Sequence, residues 1–469
     1  MKRTLQIPLL FCLFLNPVAP LSADDEPLPR RCFFGAHLAP LSEKIDGNEG
    51  VLLRKIIPDS PAADAGLIDG DIVLRAEGAD VVDVDTLQKS ISVARAGDTW
   101  TLEIARGVAV LEKQIQFQEV PRFRDDFFHL DYGHVVSHGA RLRTLVGRPK
   151  NDRPHPAVLL LQGGGNFSID NPTGPATSFT RIARHLSRNG YVTIRVDRRG
   201  CGDSEGPPVR DMDFLTELDG YRQALAALRK FEFVDQSRIF IFGHSLGGLT
   251  GPILASETPV RGIASYGTIS GTHFEHIMAQ RRSFATLDGA EPAEVEKRIE
   301  RELQFWYPLL IEKLTPKEIR AKGPGVAETM DKLGISHPYI FYRPYTWLHQ
   351  ASEVNLGEVW TKVASTPLEI EGHDPIYPRV LSIWGTADWV CEKKPILWIN
   401  EIVNRARPGI GKFIALDSSD HYFFRSDSFQ ESYGYFKPPP GGPYGKFNPA
   451  ILTTLRSWLK ETSDNAEPL

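Results

Sequence analysis

The sequence predicts an α/β protein: a sheet with helices on both faces and a helical insertion near one edge, preceded by a small β-rich domain. Three observations carry this expectation. From about residue 133 onward, short apolar runs alternate with segments of helical periodicity. The runs are nearly continuous, as in Ala157-Val158-Leu159-Leu160-Leu161 and Ile239-Phe240-Ile241-Phe242, which is what strands covered on both faces require. Before residue 120 the pattern is different, with short strands punctuated by Gly, Asp and Ser-Pro turns.

The N-terminus comes first. Lys2 and Arg3 precede the apolar run Leu5 to Leu15, and Ala19 to Ala23 supply small residues before Asp24. That is the three-part form of a secretory signal over residues 1–23, cleaved after Ala23 and too short for a stable membrane anchor. No other stretch approaches a transmembrane length, so the expectation is a secreted or periplasmic protein with no membrane span once the signal is removed. The chain has 469 residues, 41% hydrophobic and 24% charged, enough for two or three globular domains. A net charge of -5 and the absence of any Lys/Arg block argue against a nucleic-acid partner. Cys12 leaves with the signal; Cys32, Cys201 and Cys391 remain, so at most one intramolecular disulfide forms. No Cys/His spacing suits a zinc site, and no metal is expected.

The first domain spans residues 31–120. Gly47-Asn48-Glu49-Gly50 is a turn feeding a strand from Val51 to Ile57. Ser60-Pro61 opens a short helix, Gly66 ends it, and Gly70-Asp71 turns into the strand Ile72 to Leu74. Val84 to Ala94 carries apolar residues at helical spacing. With Ser60-Pro61-Ala62-Ala63-Asp64-Ala65-Gly66-Leu67 and Asp69-Gly70-Asp71-Ile72-Val73-Leu74, this part resembles a PDZ domain of the bacterial type. The resemblance implies that a ligand strand adds to a sheet edge, here His37 to Leu41, and that a loop of backbone amides holds its carboxylate. Phe33, Phe34, Gly35 and Ala36 match that loop, and a protein C-terminus is the implied partner.

The second domain covers residues 127–469. Strands are expected at about Gly133 to Ser137, Arg141 to Arg148, Ala157 to Leu161, Tyr191 to Val196, Arg238 to Phe242, Gly262 to Ile269, Arg379 to Trp384 and Lys412 to Leu416. Helices fall between them at Ser178 to Arg188, Asp213 to Phe231, Gly247 to Ser256, Lys394 to Ala406 and Asn448 to Glu461. The alternation breaks over about 272–374, a mostly helical insertion placed where a cap would cover the carboxyl edge of the sheet. Its aromatic segment, His337 to Trp347, reads mainly as the core of that cap. Pro438 to Pro443 is a stiff surface loop.

Gly243-His244-Ser245-Leu246-Gly247 joins an apolar strand directly to a helix. A serine at such an apex has strained dihedrals and needs small neighbours, and the following helix directs amides toward charge developing beside it. Serine also needs a base, and the base needs a carboxylate. Asp388 follows the strand ending at Trp384, and His421 follows the last strand. With this order, residues 131–469 resemble the α/β-hydrolase family. The resemblance implies Ser245 as nucleophile, His421 as general base and then acid, and Asp388 as its orienting carboxylate. Asp417 and Asp420 are weaker alternatives for the acid.

For the oxyanion, the resemblance implies the amides of Leu246 and Gly164, the latter in Gln162-Gly163-Gly164-Gly165-Asn166, where the family usually has His-Gly. Asp197-Arg198-Arg199-Gly200-Cys201-Gly202-Asp203-Ser204 matches a second family signature, expected to shape the edge of the site through buried polar contacts. The implied activity is cleavage of carboxylic esters through an acyl-serine intermediate, with no cofactor. Two other readings stand beside it: a serine peptidase of the prolyl-oligopeptidase-like type, and an inactive peptide-binding adaptor. The substrate is accordingly a small-molecule ester or a peptide.

Overall fold

The computed structural model describes residues 28–41, 49–165, 167–171, 176–335, 338–340, 343–437 and 445–464. The signal segment 1–23, Gly47-Asn48, Asn166, His337, Phe341, Tyr342 and the proline-rich stretch 438–443 lie outside these residues.

The N-terminal domain is an antiparallel sheet in the order His37–Pro40, Val51–Arg54, Ile72–Ala76, Thr99–Arg106, Ala109–Gln116, with Ala79–Asp80 paired to Ile72–Ala76. Alternation directs Val51, Leu53, Val73, Leu102, Ile104 and Ile115 into one core, against Leu87 of the helix Val84–Val93. The strand expected to reach Ile57 stops at Arg54, because Lys55 turns to φ 49°. The short helix Pro61–Asp64 is capped by the Ser60 side chain on Ala63 N at 3.3 Å. The hairpin Thr99 to Gln116 carries no strong turn signal and was not anticipated from the sequence.

We label the strands of the second sheet β1 Phe128–Ser137, β2 Ala140–Pro149, β3 His155–Leu161, β4 Val192–Val196, β5 Val234–His244, β6 Gly262–Tyr266, β7 Arg379–Gly385 and β8 Gly411–Leu416. Their order is β1-β2-β4-β3-β5-β6-β7-β8, with β1 and β2 antiparallel and β3 through β8 parallel. Adjacent residues of one strand serve opposite cores. Leu159, Leu161, Ile239 and Ile241 pack with the helices Phe214–Leu228 and Leu246–Glu257, whereas Leu160, Phe240 and Phe242 pack with Ser178–Arg188 and Ala450–Asp464. Phe240 and Phe242 are fully buried, which stabilises the fold by roughly 1.5–3 kcal/mol each. β6 ends at Tyr266 rather than Ile269. Gly267 turns left-handed at φ 55° while its amide still reaches Ile383 O at 3.1 Å.

Between β6 and β7 the chain forms a helical cap. Its principal helices are His273–Leu287, whose N-terminus is closed by a Thr272/Glu275 capping box, Pro292–Leu310, Tyr345–Ala351 and Leu356–Ser365. Of the described aromatic residues in the segment 337–347, Trp347 is buried and Tyr339 and Tyr345 are half-buried, while Phe305 and Trp306 of Pro292–Leu310 are fully buried.

The two domains are joined by charge. Arg143 on β2 meets Asp197 at 2.5 Å, Asp170 at 2.7 Å and Asp203 at 3.4 Å, all buried. Arg30, just before the first domain, pairs with the same Asp203, and Arg31 bonds Asp203 Oδ1 through its amide at 3.0 Å and Gly200 O through its side chain at 2.8 Å.

Candidate active site

β5 runs without a break into Ser245, whose φ of 54° and ψ of -118° place it in a region that L-residues avoid at a cost of about 1–2 kcal/mol. The turn is held from outside. Ser245 N donates to Tyr266 O at 3.0 Å, and Thr268 Oγ1 donates to Ser245 O at 3.0 Å. Close approach explains the glycines: a Cβ on Gly247 would lie 2.7 Å from the Leu161 carbonyl carbon, and one on Gly243 would lie 2.8 Å from Gly248 N. The helix Leu246–Glu257 begins at the next residue and points its N-terminus at the serine.

Asp388 and His421, on the loops after β7 and β8, meet with His421 Nδ1 3.0 Å from Asp388 Oδ2. Both are buried, and Asp388 Oδ1 accepts the amides of Val390 at 3.0 Å and Cys391 at 2.9 Å. The alternative acid, Asp420, accepts instead from the amides of Tyr422 and Phe424 and from Ser432 Oγ. Burial raises its carboxyl to about 6. His244, next to Ser245, is 2.7 Å through Nε2 from the main-chain carbonyl of His421, and burial drives its pKa well below the ordinary value.

The glycine-rich loop after β3 is organised by Arg198. Its guanidinium donates to Gly163 O at 2.6 Å, Gly165 O at 3.2 Å and Gln162 O at 3.3 Å. In a trans peptide the carbonyl and the following amide point in opposite directions, so a Gly163 carbonyl aimed at Arg198 turns the Gly164 N–H away from it. Gly164 lies against Leu246 and both line the cavity in front of Ser245. Arg198 is anchored by Glu217, which also pairs with Arg343 at 3.2 Å and accepts from Trp347 Nε1 at 2.8 Å. Burial works to raise the Glu217 carboxyl, but the two guanidiniums overcome it and hold it at about 2. The expected edge-shaping role of the 197–204 segment thus has a specific form that the sequence did not reveal.

Ser245 opens into a cavity of about 260 Å³ walled by Leu249, Ile269, Ile277, Ile340, Trp347 and Leu348. His273 and His276 also face it, and burial depresses them to about 3 and about 4. Both are neutral at ordinary pH. Asp388, Cys391 and His421 bring ligand-type atoms within 4.8 Å of one another. The Asp388 oxygens are already engaged by His421 and two amides, and burial pushes the Cys391 thiol well up, so this donor set does not suit a metal ion. Cys32, Cys201 and Cys391 are all free and buried, and Cys201 is raised to about 11 by desolvation.

In the N-terminal domain, Phe34 is buried, and the main chain of Phe34 and Gly35 is bonded to Ala62 N at 3.0 Å and Ile57 N at 2.8 Å. Phe33 to Ala36 form one end of a groove of about 950 Å³ between His37–Leu38 and the helix Val84–Val93.

Residues 156–307 match the model of the alpha/beta hydrolase fold and residues 33–116 that of the PDZ domain. Esterase EstD of Thermotoga maritima is 22% identical over 313 residues, covering 66% of this chain and 63% of its own. The quorum-quenching protein AidA of Acinetobacter baumannii is 28% identical over 121 residues, 26% of this chain and 36% of its own. The chain therefore spans less than two thirds of the length of either relative. Among solved structures, Est1E from Butyrivibrio proteoclasticus superposes with a TM-score of 0.42 at 13% identity, covering 71% of this chain and 99% of that one.

Proposed function

From a chain that joins a PDZ domain to a domain of the alpha/beta hydrolase fold, we propose a serine esterase: Ser245 attacks, His421 carries the proton and Asp388 fixes the imidazole. One observation supports this above the others. A serine held at φ 54° between strand and helix opens into a partly open cavity, and a buried histidine hydrogen-bonded to a buried aspartate follows parallel strands of the same sheet.

In this reading Ser245 Oγ adds to the ester carbonyl as His421 Nε2 takes its proton, while His421 Nδ1–H keeps donating its hydrogen bond to Asp388 Oδ2. The amides of Leu246 and Gly164 stabilise the oxyanion. Collapse breaks the bond to the leaving alcohol, which takes the proton from His421. Water, deprotonated by the same imidazole, then releases the acid and restores Ser245.

The cavity supports esters over peptides. About 260 Å³ bounded by Ile269, Ile277, Trp347 and Leu348 suits a compact apolar acyl group rather than an extended chain. The PDZ domain is read as a peptide- or protein-binding module, which is also the support for the peptidase alternative. Export to the periplasm or the exterior is proposed from the charged, apolar and small-residue segments of 1–23. Among the described residues no helix is long and apolar enough to cross a membrane.

The test is fluorophosphonate labelling of the wild type, Ser245→Ala and His421→Ala, followed by p-nitrophenyl esters against peptide p-nitroanilides. Labelling that requires both residues and turnover of esters alone are the expected results. Preferential anilide turnover moves the assignment to a peptidase, and a folded, unlabelled wild type moves it to an adaptor.

A further inference from the structure

We propose that the PDZ groove is a composite site, in which Arg210 of the hydrolase domain helps Arg31 hold the terminal carboxylate of a peptide that carries a basic residue three or four positions upstream. This rests on the peptide-binding reading of the PDZ domain and is independent of the esterase reading. The groove has the backbone that a ligand strand needs. His37–Pro40 is the edge strand of its sheet, paired on one side with Val51–Arg54, and its other side faces the helix Val84–Val93 across the groove.

The wall is not made by one domain. Pro208 and Arg210 line the groove together with Phe33 to Ala36. Their position at the loop end follows from two contacts: Arg31, which precedes the loop, bonds Gly200 O at 2.8 Å, and Gly200 packs against the Pro207 carbonyl carbon and Pro208 Cα. Arg210 is exposed, with its guanidinium 5.6 Å from the ring centre of Tyr339. Among the described residues, neither the Arg31 nor the Arg210 side chain forms an ion pair. Arg31 engages only carbonyls, Gly200 O and Ser204 O, through one nitrogen, and Arg210 only the face of Tyr339, so both guanidiniums keep N–H groups suited to a carboxylate.

The opposite end carries opposite charge. The helix Val84–Val93 has its last turn at the loop, because Cys32 Sγ lies 3.3 Å from Ile91 O. Asp83 and Asp85, at its first turn, therefore face the far end of the groove. At ~1.5 Å per helical residue the separation is about 12 Å, which an extended peptide covers in three to four residues. Lys89 stands between the two ends and His37 on the strand side. The field thus runs from positive at the loop to negative upstream, the complement of a C-terminal segment with a lysine or arginine three or four residues before an apolar last residue.

The experiment uses the full chain carrying Ser245→Ala, so that no outcome depends on turnover. Fluorescence anisotropy is read with fluorescein-labelled octapeptides that end in valine, leucine or phenylalanine. Each carries lysine or glutamate at the fourth position from the end, with a free carboxylate or an amide. The lysine peptides with a free carboxylate should bind, and amidation should weaken them by about tenfold. Arg210→Ala should weaken the carboxylate peptides by about fivefold and leave the amides unchanged, with Arg210→Lys retaining most of the affinity. Asp85→Asn should erase the preference for lysine over glutamate. Equal binding of both peptide ends to wild type and Arg210→Ala overturns the composite site while leaving a conventional PDZ groove. Absence of binding by every free-carboxylate peptide overturns both.

Discussion

His244 and His421 are tied side chain to main chain: the imidazole Nε2 of the residue before Ser245 lies 2.7 Å from the His421 carbonyl. The two loops are thereby registered without using any bond that the reaction must change. Since a carbonyl only accepts, Nε2 is the protonated nitrogen of a neutral imidazole, in keeping with a pKa that burial drives far down.

His244→Ala should lower kcat by about 10- to 100-fold with KM nearly unchanged, because the reacting groups stay but their alignment loosens. Steady-state kinetics on a p-nitrophenyl ester measures the split. A loss confined to KM would contradict a positioning role.

Asp388→Asn keeps the shape and removes the charge that fixes the His421 tautomer. The expected fall in kcat is about 10⁴-fold with an unchanged melting temperature. Activity near wild type would transfer the role to Asp420, which is buried but bonded to other partners.

Gly267 is the only residue type its place allows. At φ 55°, an added Cβ would lie 2.6 Å from Asp388 Oδ2 and 3.0 Å from His421 Nδ1. Gly267→Ala should cost about 1–2 kcal/mol from the backbone alone and reduce kcat by at least ~100-fold, read from thermal melts and kinetics on the same preparation.

Arg198→Lys keeps a positive charge opposite Glu217 and loses the fork that gathers three carbonyls. The loop after β3 should relax, with kcat down by about 100-fold and a modest loss of stability; Arg198→Met should cost about 1.5–3 kcal/mol, because Glu217 loses one charged partner but keeps Arg343 and Trp347. Equal activity of wild type and Arg198→Lys would show that the loop is held by other contacts.

Acid should destabilise the fold through the cavity histidines. Burial, reinforced for His276 by the charge of His421, lowers His273 to about 3 and His276 to about 4, whereas in the unfolded chain both titrate near 6.5. Between those values the unfolded chain binds more protons, so stability is complete above 6.5 and is lost as pH falls toward 4 and then 3, by roughly 3–5 kcal/mol per group in the limit. Asp420 opposes this: raised to about 6 from 3.8, its contribution is full below 3.8 and lost as pH rises through 6. Two groups outweigh one, so melting temperature should drop from pH 7 to 4.5, and His273→Asn should flatten the slope. An acid-insensitive melting temperature would contradict neutral burial.

The positions of the proposed site residues were legible because they stand at the ends of strands. Ser245, Asp388 and His421 each follow an apolar run, and parallel strands bring such ends to one edge, so chain order sufficed to group them. Arg198 was visible as part of a loop signature, but its grip on Gln162, Gly163 and Gly165 depends on how two loops about 35 residues apart approach across β3 and β4. Hydrophobic periodicity reports which face of an element is covered and is silent on such polar contacts. The same holds for Arg210, whose place in the groove follows from the packing of one domain on another. The end of β6 at Tyr266 was missed because Gly267, a small residue within an apolar run, gives no sign of the left-handed turn it makes.

The Arg30–Asp203–Arg143 cluster bears on how this chain could be cut or recombined. Severing it near residue 120 would separate the second domain from its N-terminal neighbour in length, but would remove Arg30 and the Arg31 amide from Asp203 and leave it Arg143 alone. A transplanted PDZ domain would have to bring an arginine just ahead of its first strand to restore that neutrality. The two domains thus share one buried charge balance, and a cut at the apparent seam divides it.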